Sequence, residues 1–159
     1  MGKIEVKEFH EGLKVIWDNF VEKSNNGTIF HLQSFLNYHP KGKFNFHHLM
    51  FYENNKIVAL LPGGIIDGKI FWSPVGASYG SLVTEDISFE KALQLVDTMM
   101  EYFDRNGFKE IYLIPPPIIY NKKITQHLEY AMLYRRFFFL LNKKNPAKKI
   151  SLENDFIKS

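Results

Sequence analysis

Apolar positions along this chain change period several times, and each change marks an element. Ile4 and Val6 alternate with charged residues, the period-two pattern of a short strand. Leu13, Ile16, Trp17, Phe20 and Val21 then recur at helical spacing, and Ser24-Asn25-Asn26-Gly27 stops that helix with a glycine just beyond its end. A second helix is predicted over residues 32–38, with Leu32, Phe35 and Leu36 on one face and Pro40 as its stop. Residues 47–52 and 56–61 read as strands joined by an Asn54-Asn55 turn. Ile65-Ile66-Asp67-Gly68 then signals a two-residue hairpin into a third strand of a meander, residues 69–73.

A glycine-bracketed loop, Val75-Gly76-Ala77-Ser78-Tyr79-Gly80, leads to a short strand at 81–83. Ser88 is a plausible N-cap, and Phe89, Ala92, Leu93, Val96, Met99, Met100 and Phe103 follow at i, i+3, i+4, i+7 spacing, the clearest amphipathic helix in the chain. Gly107 stands at its C-terminal end. Residues 108–114 read as a buried strand, ended by Pro115-Pro116-Pro117. A short helix at 123–133 and an apolar strand at 137–141 complete the pattern. The order β-α-α-β-β-β-β-α-β-α-β predicts one α/β (α+β) domain over residues 1–141. Its central sheet is mixed, mostly antiparallel and flanked by helices. Residues 142–159 read as a loosely held, Lys-rich tail.

Composition narrows the function classes. The chain has 20 basic and 17 acidic residues, a net charge of +3, and arginine only at Arg105, Arg135 and Arg136. A dedicated nucleic-acid binder is more basic and more clustered. There is no cysteine, which excludes disulfides, thiolate metal sites and cysteine nucleophiles. The charged N-terminus carries no apolar signal segment, and no apolar run is long enough to span a bilayer, so a cytoplasmic location is expected. Fifteen Phe and eight Tyr indicate an aromatic core, and less often a stacking or sugar-binding surface.

The element order resembles the acetyltransferase fold called GNAT. Thr28-Ile29-Phe30-His31-Leu32-Gln33-Ser34-Phe35-Leu36 looks like the early helix of Fem-type aminoacyl and acyl transferases. Trp72-Ser73-Pro74 with Gly76 and Gly80 looks like their glycine-containing loop, and Gly107 to Pro116 like the strand after their long helix. The resemblance covers residues 4–141. It implies transfer of an acyl or aminoacyl group to an amine, with a cell-wall (peptidoglycan) or sugar precursor as small-molecule acceptor. It implies acetyl-CoA, another acyl-CoA or an aminoacyl-tRNA as donor. Fem-type proteins usually carry two such domains in tandem, and this chain matches the first, so a second GNAT-like domain or a homodimer is expected to supply the other half.

The resemblance also directs attention to particular residues. The ordinary acetyl-CoA enzymes of the fold have a Gln/Arg-x-x-Gly-x-Gly loop before the long helix, whose backbone N–H groups bind pyrophosphate. Here that position reads Thr84-Glu85-Asp86-Ile87-Ser88, with two carboxylates and no glycine, which opposes CoA electrostatically in the usual place. On the acceptor side, Gly76, Ser78, Tyr79 and Gly80 either contact an acceptor or form a plain structural crossover. Gln33 and Ser34 either bond an acceptor or brace the loop and face water, and Tyr120 either borders the cleft or simply follows a strand end. His31, His39, His47 and His48 could act as acid/base groups but lack metal-ligand spacing, so no metal is expected. No catalytic nucleophile is visible. Tyr134-Arg135-Arg136-Phe137 with Lys143, Lys144, Lys148 and Lys149 is either an RNA-contacting surface for a tRNA donor or a core strand with solvated lysines. Two other functions stand beside acyl transfer by a Fem-type domain. One is a non-catalytic binding or assembly module; the other is an acetyl-CoA N-acetyltransferase with an atypical pyrophosphate loop.

Overall fold

The computed structural model of the chain describes residues 2–135, 138–142 and 145–151. Strand β1 spans Ile4–Glu8, helix α1 Lys14–Lys23 and the short helix α2 Gln33–Leu36. Strands β2 to β6 are Leu49–Glu53, Lys56–Leu61, Gly64–Ile66, Ile70–Ser73 and Val83–Thr84. Helix α3 is Phe89–Arg105, β7 Glu110–Leu113, α4 His127–Tyr134, β8 Phe138–Asn142 and β9 Asn145–Ser151.

The strands form two ladders, β1-β2-β3-β6 and β4-β5-β7-β9-β8. The break between them falls at Pro62-Gly63, where proline has no N–H to give a ladder. The chain nevertheless runs on in one direction, because His47 N–H still reaches Gly63 O and Ile65 N–H reaches Asn45 O. Strands β5 and β6 therefore flank one long bent strand, β5 against β4 and β6 against β3. Loop 74–82 lies between them. β5 and β7 pair in parallel, which makes the sheet mixed. Residues 145–151, within the stretch that composition reads as tail, form β9 between β7 and β8.

Period-two alternation places the first ladder between helices α3 and α4 on one face and α1 on the other. Leu49, Phe51, Ala59 and Leu61 are buried with Ala92, Leu95, Val96, Met99 and Phe103 of α3 and with Leu128, Ala131 and Met132 of α4. The intervening Met50 and Leu60, with Val83, pack against Trp17 and Val21 of α1. Ser88 caps α3, its hydroxyl accepting from Lys91 N–H, and Gly107 takes a positive φ of 72° just beyond its end.

Three expected elements shift. Ile16 is 48% exposed, so the buried stripe of α1 is narrower than its spacing suggests. Helix α2 is one turn long, and Tyr38 lies outside it at 87% exposure. Helix α4 begins at His127, the preceding residues forming a 3-10 turn at Ile118–Tyr120 and a loop. Residues 136, 137, 143 and 144 of the expected basic-aromatic surface lie outside the described residues. Within them, Arg135 forms a two-pronged ion pair with Asp97.

Candidate functional site: an aromatic groove and a stitched seam

Loop 74–82 is held by its ends. Ser73 Oγ donates to Pro62 O and accepts from Ser81 N–H at 2.7 Å. Gly80 N–H donates to Ile114 O at 2.7 Å, and Ile114 N–H to Ser73 O at 2.8 Å, which extends the β5–β7 pairing by one step. The two glycines serve different needs. Gly76 has φ 71°, and a Cβ there would lie 2.6 Å from the Phe44 ring. A Cβ on Gly80 would strike Ser73 Oγ and sit 2.5 Å from Pro74 N. Both support the loop from behind.

His31 is a buried strut beneath it. Its Nδ1 accepts from Thr28 N–H at 2.9 Å, which places the proton on Nε2, the donor to Gly80 O at 2.9 Å. Burial holds its pKa below the ordinary histidine value, so the ring is neutral. Both ring nitrogens are occupied, and the ring joins the α1–α2 connection to the loop instead of serving as a free base.

Above this floor, Thr28, Phe30, Ser78, Tyr79 and Tyr120 line an open groove of about 500 Å³. The Phe30 and Tyr79 rings meet edge to face at 5.6 Å, and Tyr79 and Tyr120 stand 6.2 Å apart. Tyr120 is 59% exposed. The lining offers ring faces and hydroxyl groups and no carboxylate or ammonium.

Of the residues singled out in the sequence, Ser78, Tyr79 and Tyr120 come together in this groove. Gly76 and Gly80 stand behind it. Gln33 and Ser34 are at the start of α2, where both backbone N–H groups donate to the Asp18 carboxylate. The Gln33 side chain is buried, and its Nε2 has no hydrogen-bond partner among the described residues. Thr28 and Phe30 are lining residues that residue type alone did not single out. The signal for Thr28 is its spacing to His31, which forms a capping box over the 3-10 turn Ile29–His31.

His39, His47 and His48 are likewise engaged in hydrogen bonds within the fold. His39 Nε2 bonds Gly76 O at 2.6 Å and His47 Nε2 bonds Tyr102 Oη at 2.8 Å. His48 accepts from Gly63 N–H, and burial pushes its pKa down to about 3. Among the described residues no group of three or more His, Asp or Glu side chains is placed to hold a metal ion. No described helix is long and apolar enough to cross a membrane.

The 84–88 segment is different in kind. Strands β6 and β7 are not ladder neighbours, and the Ser24-Asn25-Asn26 turn joins the β6 side to residues 122–123, which follow β7 in the chain. Asn26 Nδ2 donates to Leu82 O at 2.8 Å, and its Oδ1 accepts from Thr84 N–H at 2.9 Å. Asn25 N–H donates to Thr84 O, and Asn25 O accepts from Lys122 N–H. The Asn25 side chain bonds both N–H and C=O of Lys123. Lys123 Nζ pairs with Asp86 at 2.6 Å, and His127 Nδ1 donates to Ile87 O at 2.7 Å. The cavity left there measures about 10 Å³, no more than one water needs. A diphosphate does not fit it. The charge expected to oppose one is also smaller than the sequence implies, because Lys123 offsets Asp86.

No protein-family model matches the chain, and no curated protein matches it. Solved structures do. The aminoglycoside acetyltransferase AAC(6')-Ib, in complex with ribostamycin and coenzyme A, superposes with a TM-score of 0.61 at 10% identity, covering 99% of both chains. The chain has the GNAT acetyltransferase fold. A GNAT-family acetyltransferase from Staphylococcus aureus Mu50 matches with a TM-score of 0.59 at 13% identity, over 94% of this chain and 99% of that one. The PaiA N-acetyltransferase from Thermoplasma acidophilum, in complex with coenzyme A, matches at 0.57 and 10% identity, over 94% and 99%. At these identities the likeness concerns the fold. These neighbours do not support an aminoacyl-tRNA donor.

Proposed function

We propose that this chain is an acyl-transfer domain of Fem type, which holds an amine-bearing acceptor in the groove of Thr28, Phe30, Ser78, Tyr79 and Tyr120. The observation that carries the reading is the convergence of three separate loops on that groove, in a fold whose solved neighbours are N-acetyltransferases. Ring faces and hydroxyls suit an acceptor with an apolar ring or sugar face, such as a cell-wall or amino-sugar precursor. The chemistry is amide formation. The amine nitrogen attacks the acyl carbon, the donor's leaving group departs with its bonding electrons, and the proton lost from nitrogen passes to water. The groove's contribution is to hold the amine in place. A second GNAT-like domain or a second copy of the chain is the proposed source of the donor.

A second reading, a non-catalytic binding module, is favoured by the stitched seam at 84–88, whose cavity of about 10 Å³ is too small to take in a diphosphate. The two readings share the groove and differ in turnover. Titration of the full chain with a lysine-containing muramyl pentapeptide or an amino sugar, followed by tyrosine fluorescence, tests the groove. Binding is expected to weaken by about tenfold or more in Tyr79→Ala with an unchanged melting temperature. Equal binding by wild type and Tyr79→Ala would discard the assignment.

A further inference from the structure

The structure assigns the Asn25–Asn26 turn as a clasp that closes the β6–β7 opening against a CoA-type donor. Peptide groups at a parted sheet edge need partners, and an asparagine amide supplies one donor and one acceptor, as a peptide unit does. Asn26 satisfies Leu82 O and Thr84 N–H on the β6 side. The Asn25 backbone joins Thr84 O to Lys122 N–H, and its side chain completes the join at Lys123. The turn thus stands where a strand between β6 and the segment after β7 would stand. Asn25 and Asn26 are each 8% exposed, so these bonds are shielded from competing water.

The consequence is specific. The N–H groups of Thr84 and Lys91 are already taken, by Asn26 and by Ser88, and His127 bonds the carbonyl of Ile87. A diphosphate seated in the seam would have to break the clasp and displace the Lys123–Asp86 pair. The space of about 10 Å³ would need to grow many times over. This conclusion rests on the seam alone and not on the acceptor reading of the groove.

Calorimetric titration of the full chain with CoA and with acetyl-CoA is expected to give no saturable heat up to about 1 mM. Saturable binding, accompanied by amide shifts at 84–88 in nitrogen-15 spectra, would overturn the inference. Hydrogen exchange tests the clasp without any ligand. The amides of Asn25, Thr84, Lys122 and Lys123 are expected to exchange as slowly as those of β2 and β3. Exchange at exposed-loop rates would show the seam open and refute the clasp.

Discussion

The groove and the seam draw on adjacent stretches of the chain but on different residues, and one leaves about 500 Å³ where the other leaves about 10 Å³. Both draw on residues that follow the paired strands β5 and β7 in the chain. In the groove, Phe30, Tyr79 and Tyr120 project rings between backbones and hold them apart. In the seam, asparagine amides imitate peptide groups and draw backbones together. Side-chain size and hydrogen-bond symmetry, more than polarity, decide which end of a parted sheet stays open.

Acidification should have the largest effect and should act on the groove side first. His31, His47 and His48 all have pKa values lowered by burial. The unfolded chain takes up protons near pH 6.5 where the folded chain does not. Stability is therefore full above about pH 7 and falls as pH drops below 6.5. His48, pushed down to about 3, accounts for on the order of 5 kcal/mol between pH 6.5 and 3, of which about 2 kcal/mol is lost by pH 5. Protonation of His31 would also cost its Nδ1 the acceptor role toward Thr28, loosening the groove floor. Urea titrations at pH 7.5, 6 and 5 should show this decline, with the Gly80 amide losing exchange protection before Thr84. A stability independent of pH over that range would contradict it.

Asn26→Ala should come next. It leaves Leu82 O and Thr84 N–H buried and unpaired, at about 1–3 kcal/mol each, so a total of about 2–6 kcal/mol is expected. The melting temperature reads the loss. The comparison sharpens with Tyr79→Ala, whose partly exposed ring is expected to matter little for stability. Similar losses in the two variants would mean that the groove and the seam are not distinct structural devices.

Much of the frame was legible because its signals are local. Helix α3 combines a full apolar stripe with Ser88 and Gly107 at its ends, and the strands at 49–53 and 56–61 lie within about two residues of their expected ranges, whereas residues 49–51 and 59–61 are apolar throughout and their two faces emerge only from packing. The misread parts depend on distant partners. Ile16 fits the helical spacing of α1, but only Trp17 and Val21 are fully covered by the sheet. The partners of β9 are backbone groups of β7 and β8, so its lysine-rich composition carried no warning of a strand. The same holds at the site. Tyr79 and Tyr120 could be picked out by residue type, whereas Asn25 and Asn26 read only as a helix stop. Their bonds reach 58 residues to Thr84 and 98 to Lys123, beyond any spacing rule.

The smallest effect separates charge from geometry at the seam. Lys123 and Asp86 are both substantially exposed, so their ion pair should contribute about 0–1 kcal/mol, and Lys123→Ala should barely move the melting temperature. The companion variant, Glu85→Gln with Asp86→Asn, removes both carboxylates but keeps every bond made by Asn25 and Asn26. If stitching closes the seam, this neutral variant still gives no saturable heat with CoA. If it binds CoA, charge was the barrier, and the hydrogen bonds of Asn25 and Asn26 yield readily to a ligand once repulsion is removed. The groove, which has no ionisable lining apart from two phenols, should be indifferent to the same change, so acceptor titrations of the variant supply the internal control.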